Sequence, residues 1–307
     1  MSMLVLGHMN PDTDSIVAAI ALADLFSKRG IEAKPVAQGK VTPESAFVLE
    51  KFGLTAPEVV TSVAGQKIAL VDTTELAQLP GDIAQAEVLA VADHHKLGDL
   101  STPNPLEMWV WPVGCTCTVL KSMYDFYGVE VSKGIAGAML CAILSDTVMF
   151  KSVTCTEADK KAVEALAKIS GVSDVMGLGM EMFKVKSAVE GAPMRDLVFR
   201  DYKDFDMAGH GVGIGQLEVV DLDILKPYVD GLYEEITKLK GEKGHHTIML
   251  MLTDIMKEGT EMLFVTDDKA VFKKAFGVDA GERSFWLQGC MSRKKQVVPD
   301  FQAKAFA

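Results

Sequence analysis

The chain has 307 residues, 49% hydrophobic and 24% charged, which excludes a disordered tail, a collagen and a disulfide mini-scaffold. Asp and Glu outnumber Lys and Arg 42 to 31, and the formal charge of −11 leaves no broad basic surface for nucleic acid. The start, MSMLVLGHMNPDTD, lacks a basic leader, and the longest apolar run, 134–144, is shorter than the ~20 residues of a membrane span.

In chain order, residues 3–6 form a short apolar strand that Gly7 ends. A helix follows from Ser15, with Ile16, Ala19, Ile20, Ala23 and Phe26 at helical spacing and Gly30 as its stop. Residues 32–37 read as a strand and 43–52 as a helix. KIALV (67–71) and VLAVA (88–92) are continuous apolar runs of strand length, the signature of parallel strands covered on both faces. Helices are expected at 116–127, 134–144, 157–169 and 173–186. Gly191 and Pro193 mark a linker at 188–194. Beyond it, strands are expected at 196–202, 212–219, 247–253 and 261–265, and helices at 222–240 and 269–276. The expected fold is α/β: a mainly parallel N-terminal sheet flanked by helices (1–187), then a smaller α+β domain (195–307).

Three apolar strands run straight into residues of the metal-ligand type. The first leads to His8, Asp12 and Asp14, the second to Asp72, and the third to Asp93, His94 and His95. Parallel strands gather such residues on one edge, where open α/β sheets bind ligands. Asp146 closes the apolar helix 134–144, where the negative end of the helix dipole calls for a cation. Singly, Asp14 reads as a helix cap and Asp72 as a turn residue; together the set reads as a metal site. Imidazole with carboxylate suits Mn, Co, Fe or Zn, and the four carboxylates of Asp12, Asp14, Asp72 and Asp146 balance two divalent ions.

The five cysteines are odd in number and widely spaced. They read as reduced thiols of a cytoplasmic protein, with the Cys115-x-Cys117 pair structural. The Gly211-x-Gly213-x-Gly215 run reads as a strand or turn rather than a nucleotide loop, and His245-His246 as a turn.

GHMNPDTDS, VDTTE, VADHHK and the late SRKKQVVP together closely resemble the family II inorganic pyrophosphatases, manganese-dependent enzymes of the DHH phosphoesterase superfamily. The likeness runs from His8 to Pro299. It implies one manganese ion on His8, Asp12 and Asp72, and a second on Asp14, Asp72, His94 and Asp146, with Asp72 bridging. It implies that His95 binds phosphate and donates a proton, and that Lys203, Arg293 and Lys294 clamp the substrate. Asp93 is expected to orient a histidine from behind. The implied reaction is hydrolysis of pyrophosphate to two phosphates by a hydroxide bridging the two ions, with the active site between the domains. Co2+ as a substitute metal, Mg2+ entering with substrate, and a homodimer formed through the N-terminal domain complete the expectation. The alternatives are a DHH phosphodiesterase for short oligonucleotides or cyclic dinucleotides, or a non-catalytic phosphate- or metal-binding regulator.

Overall fold

The computed structural model describes residues 2–306, which fall into two compact units that meet in sequence at 185/186. The first unit begins β1 (Met3–Leu6), α1 (Thr13–Lys28), β2 (Ala33–Ala37), α2 (Pro43–Lys51), β3 (Glu58–Val59) and β4 (Lys67–Val71). It continues with β5 (Glu87–Asp93), β6 (Glu107–Val110), α3 (Thr116–Tyr127), α4 (Lys133–Asp146), α5 (Glu157–Ser170) and α6 (Val175–Lys186). The strands form one parallel sheet in the order β3-β2-β1-β4-β5-β6. In β4 the consecutive residues Ile68, Ala69, Leu70 and Val71 are all buried, and neighbouring strand side chains point to opposite faces. Both faces of the sheet are therefore covered, as the unbroken apolar run requires. Helix α4 is buried from Ile135 to Ser145, so it is a central helix without a solvent stripe.

Local chemistry sets the helix ends. Asp12 caps α1 by accepting from Ser15 N–H, and Thr42 caps α2 with Pro43 in its first turn. Asp14, expected as a possible cap, lies in the first turn instead. Gly7 has no Cβ because one would lie 1.9 Å from Ser15 Oγ; the end of β1 thus passes close under the start of α1.

The second unit contains α7 (Met194–Phe199), β7 (Tyr202–Met207), β8 (His210–Val219), α8 (Val229–Lys243) and β9 (Thr247–Asp254). It ends with β10 (Gly259–Thr266), α9 (Ala270–Phe276), β11 (Ser284–Gln288) and α10 (Val298–Lys304). Its sheet runs β11-β10-β9-β8-β7, with only β8 and β9 parallel. Strand β9 shows why two cores form. Ile248, Leu250 and Leu252 enter one cluster with Leu197, Leu232 and Ile236, while Met249 and Met251 enter the other with Phe272 and Phe301.

The secondary structure departs from expectation in several places: β3, β6, β11 and α10 were not among the expected elements, and two expected elements differ. Residues 196–202 are not a strand: Met194–Phe199 is a helix, whose Leu197 and Val198 are buried at helical adjacency, and the strand begins at Tyr202. The helix expected over 222–240 starts late, after two 3₁₀ turns at Leu222–Ile224 and Lys226–Tyr228, because Pro227 has no N–H to continue an α-helical ladder. Among the described residues, no helix is long and apolar enough to cross a membrane.

Candidate metal centre

Strands β1, β4 and β5 lie side by side and point the same way. From β1 the chain builds outward to β2 and β3, then returns to add β4, β5 and β6 on the other side. The reversal falls between β1 and β4, and a crevice opens there at the carboxyl ends of the strands. His8 follows β1, Asp72 follows β4, and His94 and His95 follow β5, so all four arrive at that crevice.

Asp72 is the centre of the group. Its Oδ2 lies 3.3 Å from His8 Nε2, while its Oδ1 lies 3.4 Å from His94 Nε2 and 3.5 Å from His95 Nδ1. Its backbone has φ 62°, in the left-handed region that Asp tolerates better than most side chains. His8 Nε2 is also 3.6 Å from Asp12 Oδ2, and His94 Nε2 is 3.9 Å from Asp146 Oδ2. Two ligand sets follow, each with its donor atoms within 4.8 Å of one another: His8, Asp12 and Asp72; and Asp14, His94 and Asp146. Asp72 with His94 and His95 forms a third group of the same tightness, so Asp72 touches both sets.

The side chains are held from behind. His8 Nδ1–H donates to Met9 O at 2.7 Å and His94 Nδ1–H donates to Val113 O at 3.0 Å. Each imidazole is thereby left with Nε2 as its free donor atom, aimed at carboxylates, as a metal-ligating histidine requires. Asp14, fully buried, accepts from Thr116 N–H at 2.7 Å and Cys117 N–H at 3.1 Å, the open amides at the start of α3. Thr116 Oγ1 donates to Asp72 Oδ1 at 3.0 Å. Asp93 Oδ1 accepts from both N–H and Nδ1–H of His95, each at 2.9 Å. Buried Glu44 ties the segments that bear Asp14 and Asp146 together, accepting from Thr13 Oγ1 and Ser145 Oγ.

Charge in this pocket is unbalanced without cations. Burial and the charges of Asp14, Asp12 and Asp72 push the Asp146 carboxyl well above its ordinary range. Burial also raises Asp14, with Asp72 adding to the effect and His94 opposing it. Burial works against a charge on His94, yet Asp72 and Asp14 overcome it and push the imidazole up to about 9. His8 is likewise raised against its burial by Asp12 and Asp72. Each shift favours a proton where a divalent ion would bring positive charge. Cys115 and Cys117 also lie within ligand distance of Asp14, but burial raises both thiols, which favours the protonated form. The remaining nitrogen and oxygen donors fit manganese.

The cationic residues lie in the second unit. Lys203 is exposed in β7, in register with Ile214 of β8. Arg293 is buried; its Nη1 donates to Ile214 O at 3.2 Å and Asp201 O at 2.7 Å, and its Nη2 to Asp201 Oδ1 at 2.6 Å. Arg293 therefore sits against the strand pair that bears Lys203. It opens a π-helical turn, Arg293–Val297, that contains Lys294 and is capped by Ser292. Seven of the residues singled out from sequence, His8, Asp12, Asp14, Asp72, His94, His95 and Asp146, meet in the first unit. Sequence reasoning missed Thr116, Glu44 and Asp159. Only Asp159 had a local signal, the Thr156-x-x-Asp159 spacing of a capping box.

Residues 2–143 match the N-terminal domain of the DHH family, and residues 180–303 match the DHHA2 domain. A probable manganese-dependent inorganic pyrophosphatase of Archaeoglobus fulgidus is 52% identical over 99% of this chain and 98% of its own length. The manganese-dependent inorganic pyrophosphatase of Bacillus subtilis is 39% identical over 96% of each. The crystal structure of a putative family II inorganic pyrophosphatase of Methanococcus jannaschii superposes with a TM-score of 0.86 at 40% identity, covering 98% of this chain and 99% of that one. The chain belongs to the manganese-dependent, family II inorganic pyrophosphatases, built from a DHH and a DHHA2 domain.

Proposed function

We propose that this chain hydrolyses inorganic pyrophosphate to two phosphates with two manganese ions per subunit. The observation behind it is the division of the Asp72 carboxylate, one oxygen toward His8 and the other toward His94. His8, Asp12 and Asp72 would hold one ion, and Asp14, Asp72, His94 and Asp146 the other. Bound divalent ions acidify water and polarise phosphoryl oxygens. The protein's part is to fix the donors before substrate arrives: Val113 and Met9 carbonyls set the histidine tautomers, and the α3 amides set Asp14.

Asp93 holds the His95 ring through Nδ1–H, which leaves Nε2 to meet a phosphate. A proton carried on Nε2 would pass from His95 to the departing phosphate. Arg293 offers its remaining N–H groups, and Lys203 and Lys294 their ammonium groups, to phosphate oxygens as negative charge shifts to the leaving group. Mg2+ enters with the substrate, and Co2+ can replace manganese because it accepts the same N/O donors.

The subunit pairs with a second copy through the first unit. Among the described strands β6 is the last on its side of the sheet, and beside it cluster Trp109, Trp111, Phe126 and Tyr127, with Phe126 69% exposed. The five free cysteines accord with a reducing cytoplasm. Phosphate release from pyrophosphate, measured beside mononucleotide release from a linear dinucleotide, tests the function. Release from pyrophosphate alone supports it; preference for the dinucleotide rejects it in favour of a phosphodiesterase.

A further inference from the structure

Three of the four proposed ligands of the second ion are held by one short stretch of backbone. In segment 113–117, Val113 O takes the His94 Nδ1 proton, Thr116 N–H and Cys117 N–H hold Asp14, and Thr116 Oγ1 donates to Asp72. No metal donor of that set comes from the segment itself, so its position decides whether the ligands converge. The segment is in turn fixed by a carboxylate distant in sequence. Asp159 is fully buried and accepts four hydrogen bonds. Its Oδ2 takes Gly114 N–H at 2.9 Å, Thr156 N–H at 2.7 Å and Thr156 Oγ1–H at 2.7 Å; its Oδ1 takes Thr118 Oγ1–H at 2.6 Å.

We propose that Asp159 is a positioning residue for the second ion, acting through its grip on Gly114, inside the ligand-holding segment, and on Thr118, just after it. Two of its bonds cap α5 and would serve a purely structural purpose. The other two reach across to the start of α3, and helix capping does not need them. The approach is close enough that any side chain at position 114 would force Asp159 or Thr147 to shift. A Cβ there would lie 2.9 Å from Asp159 Oδ2 and 2.6 Å from Thr147 Cγ2. Thr147 directly follows Asp146, so Asp159, Gly114 and Thr147 also set the last ligand against the first three.

The first ion depends on this arrangement only through Asp72. Loosening Asp159 should therefore separate the two sites, whereas general loss of stability would not. The inference rests on the two-ion reading above. Mn2+ titration by calorimetry, on wild type, Asp159→Asn and Thr156→Val, with Tm measured on each, tests it. Asp159→Asn should weaken one of two binding events by about 10–100-fold, the range for partners that orient metal ligands. Thr156→Val, which removes a cap hydroxyl, should lower Tm while leaving both Mn2+ affinities unchanged. Two events of wild-type affinity in Asp159→Asn overturn the inference, as does equal weakening of both sites in both variants. Should Asp159→Asn fail to fold, Thr118→Val replaces it: loss of one hydrogen bond predicts about 2–10-fold weakening of one event, and no change overturns the inference. A wild-type chain that binds no Mn2+ would instead refute the two-ion reading itself.

Discussion

Asp93 and His95 are joined twice through one oxygen: Asp93 Oδ1 accepts the backbone N–H and the ring Nδ1–H of His95, both at 2.9 Å. The ring's plane and tautomer are fixed, and Nε2 is the nitrogen left for chemistry. His95→Gln should keep both ions and lower kcat by about 10²–10⁴-fold, the usual share of a general acid. Asp93→Asn, which cannot hold the same tautomer through its amide nitrogen, should lower kcat by less. An unchanged kcat in His95→Gln would remove its role as proton donor.

Asp72 has a different dependence, because two ligand sets share it. Asp72→Asn removes a charge from both and leaves His8 and His94 without their nearest carboxylate. Manganese content after gel filtration should fall at both sites, by more than the ~10–100-fold expected for residues behind the ligands. Retention of one full equivalent would mean that Asp72 serves a single ion.

The cationic residues should separate into two kinds. Arg293 binds two backbone carbonyls and the Asp201 carboxylate, so Arg293→Ala should lower Tm as well as activity. Arg293→Lys should not restore it, since one ammonium cannot serve the acceptors that the planar fork reaches. Lys203→Ala should leave Tm near wild type, and Lys203→Ala and Lys294→Ala should each reduce kcat/KM by about 10–100-fold, the value of a charge-assisted hydrogen bond of ~1.5–3 kcal/mol. Wild-type kcat/KM in both lysine variants would place the substrate clamp elsewhere.

The metal-free chain should lose stability as pH rises. His94 has its folded pKa raised from 6.5 to about 9: burial opposes its charge, but Asp72 and Asp14 outweigh burial. A raised pKa contributes stability that is complete below 6.5 and gone above about 9. Asp146 has the same sign, since burial and three neighbouring carboxylates make its proton hard to lose. Divalent ions replace these protons, so Mn2+ affinity should climb over the same interval. Thermal melts at pH 6.5, 7.5 and 9 check this. Tm should fall with pH in chelator and hold steady with Mn2+; a metal-free Tm that rises with pH contradicts the charge assignment.

The strands that deliver the ligands were legible because they are unbroken apolar runs ending in His or Asp. KIALV before Asp72 and VLAVA before His94 needed only the rule that parallel strands share a carboxyl edge. What holds those ligands was not legible. Thr116 reaches Asp72 from 44 residues away and Asp159 reaches Gly114 from 45, separations at which no periodicity survives. Met194–Phe199 was misread because a six-residue amphipathic helix and a short strand have the same apolar content. Arg293 was found from its motif, but its anchoring by Asp201 and Ile214 depends on how the β7–β8 hairpin packs.

Equilibrium binding of Mn2+ to chelator-stripped chain, with phosphate release from pyrophosphate recorded at each point, tests the central claim most directly. Two ions per chain should bind, and activity should follow occupancy of the second. Saturation at one ion per chain with full activity, or two bound ions with no phosphate released, would contradict it.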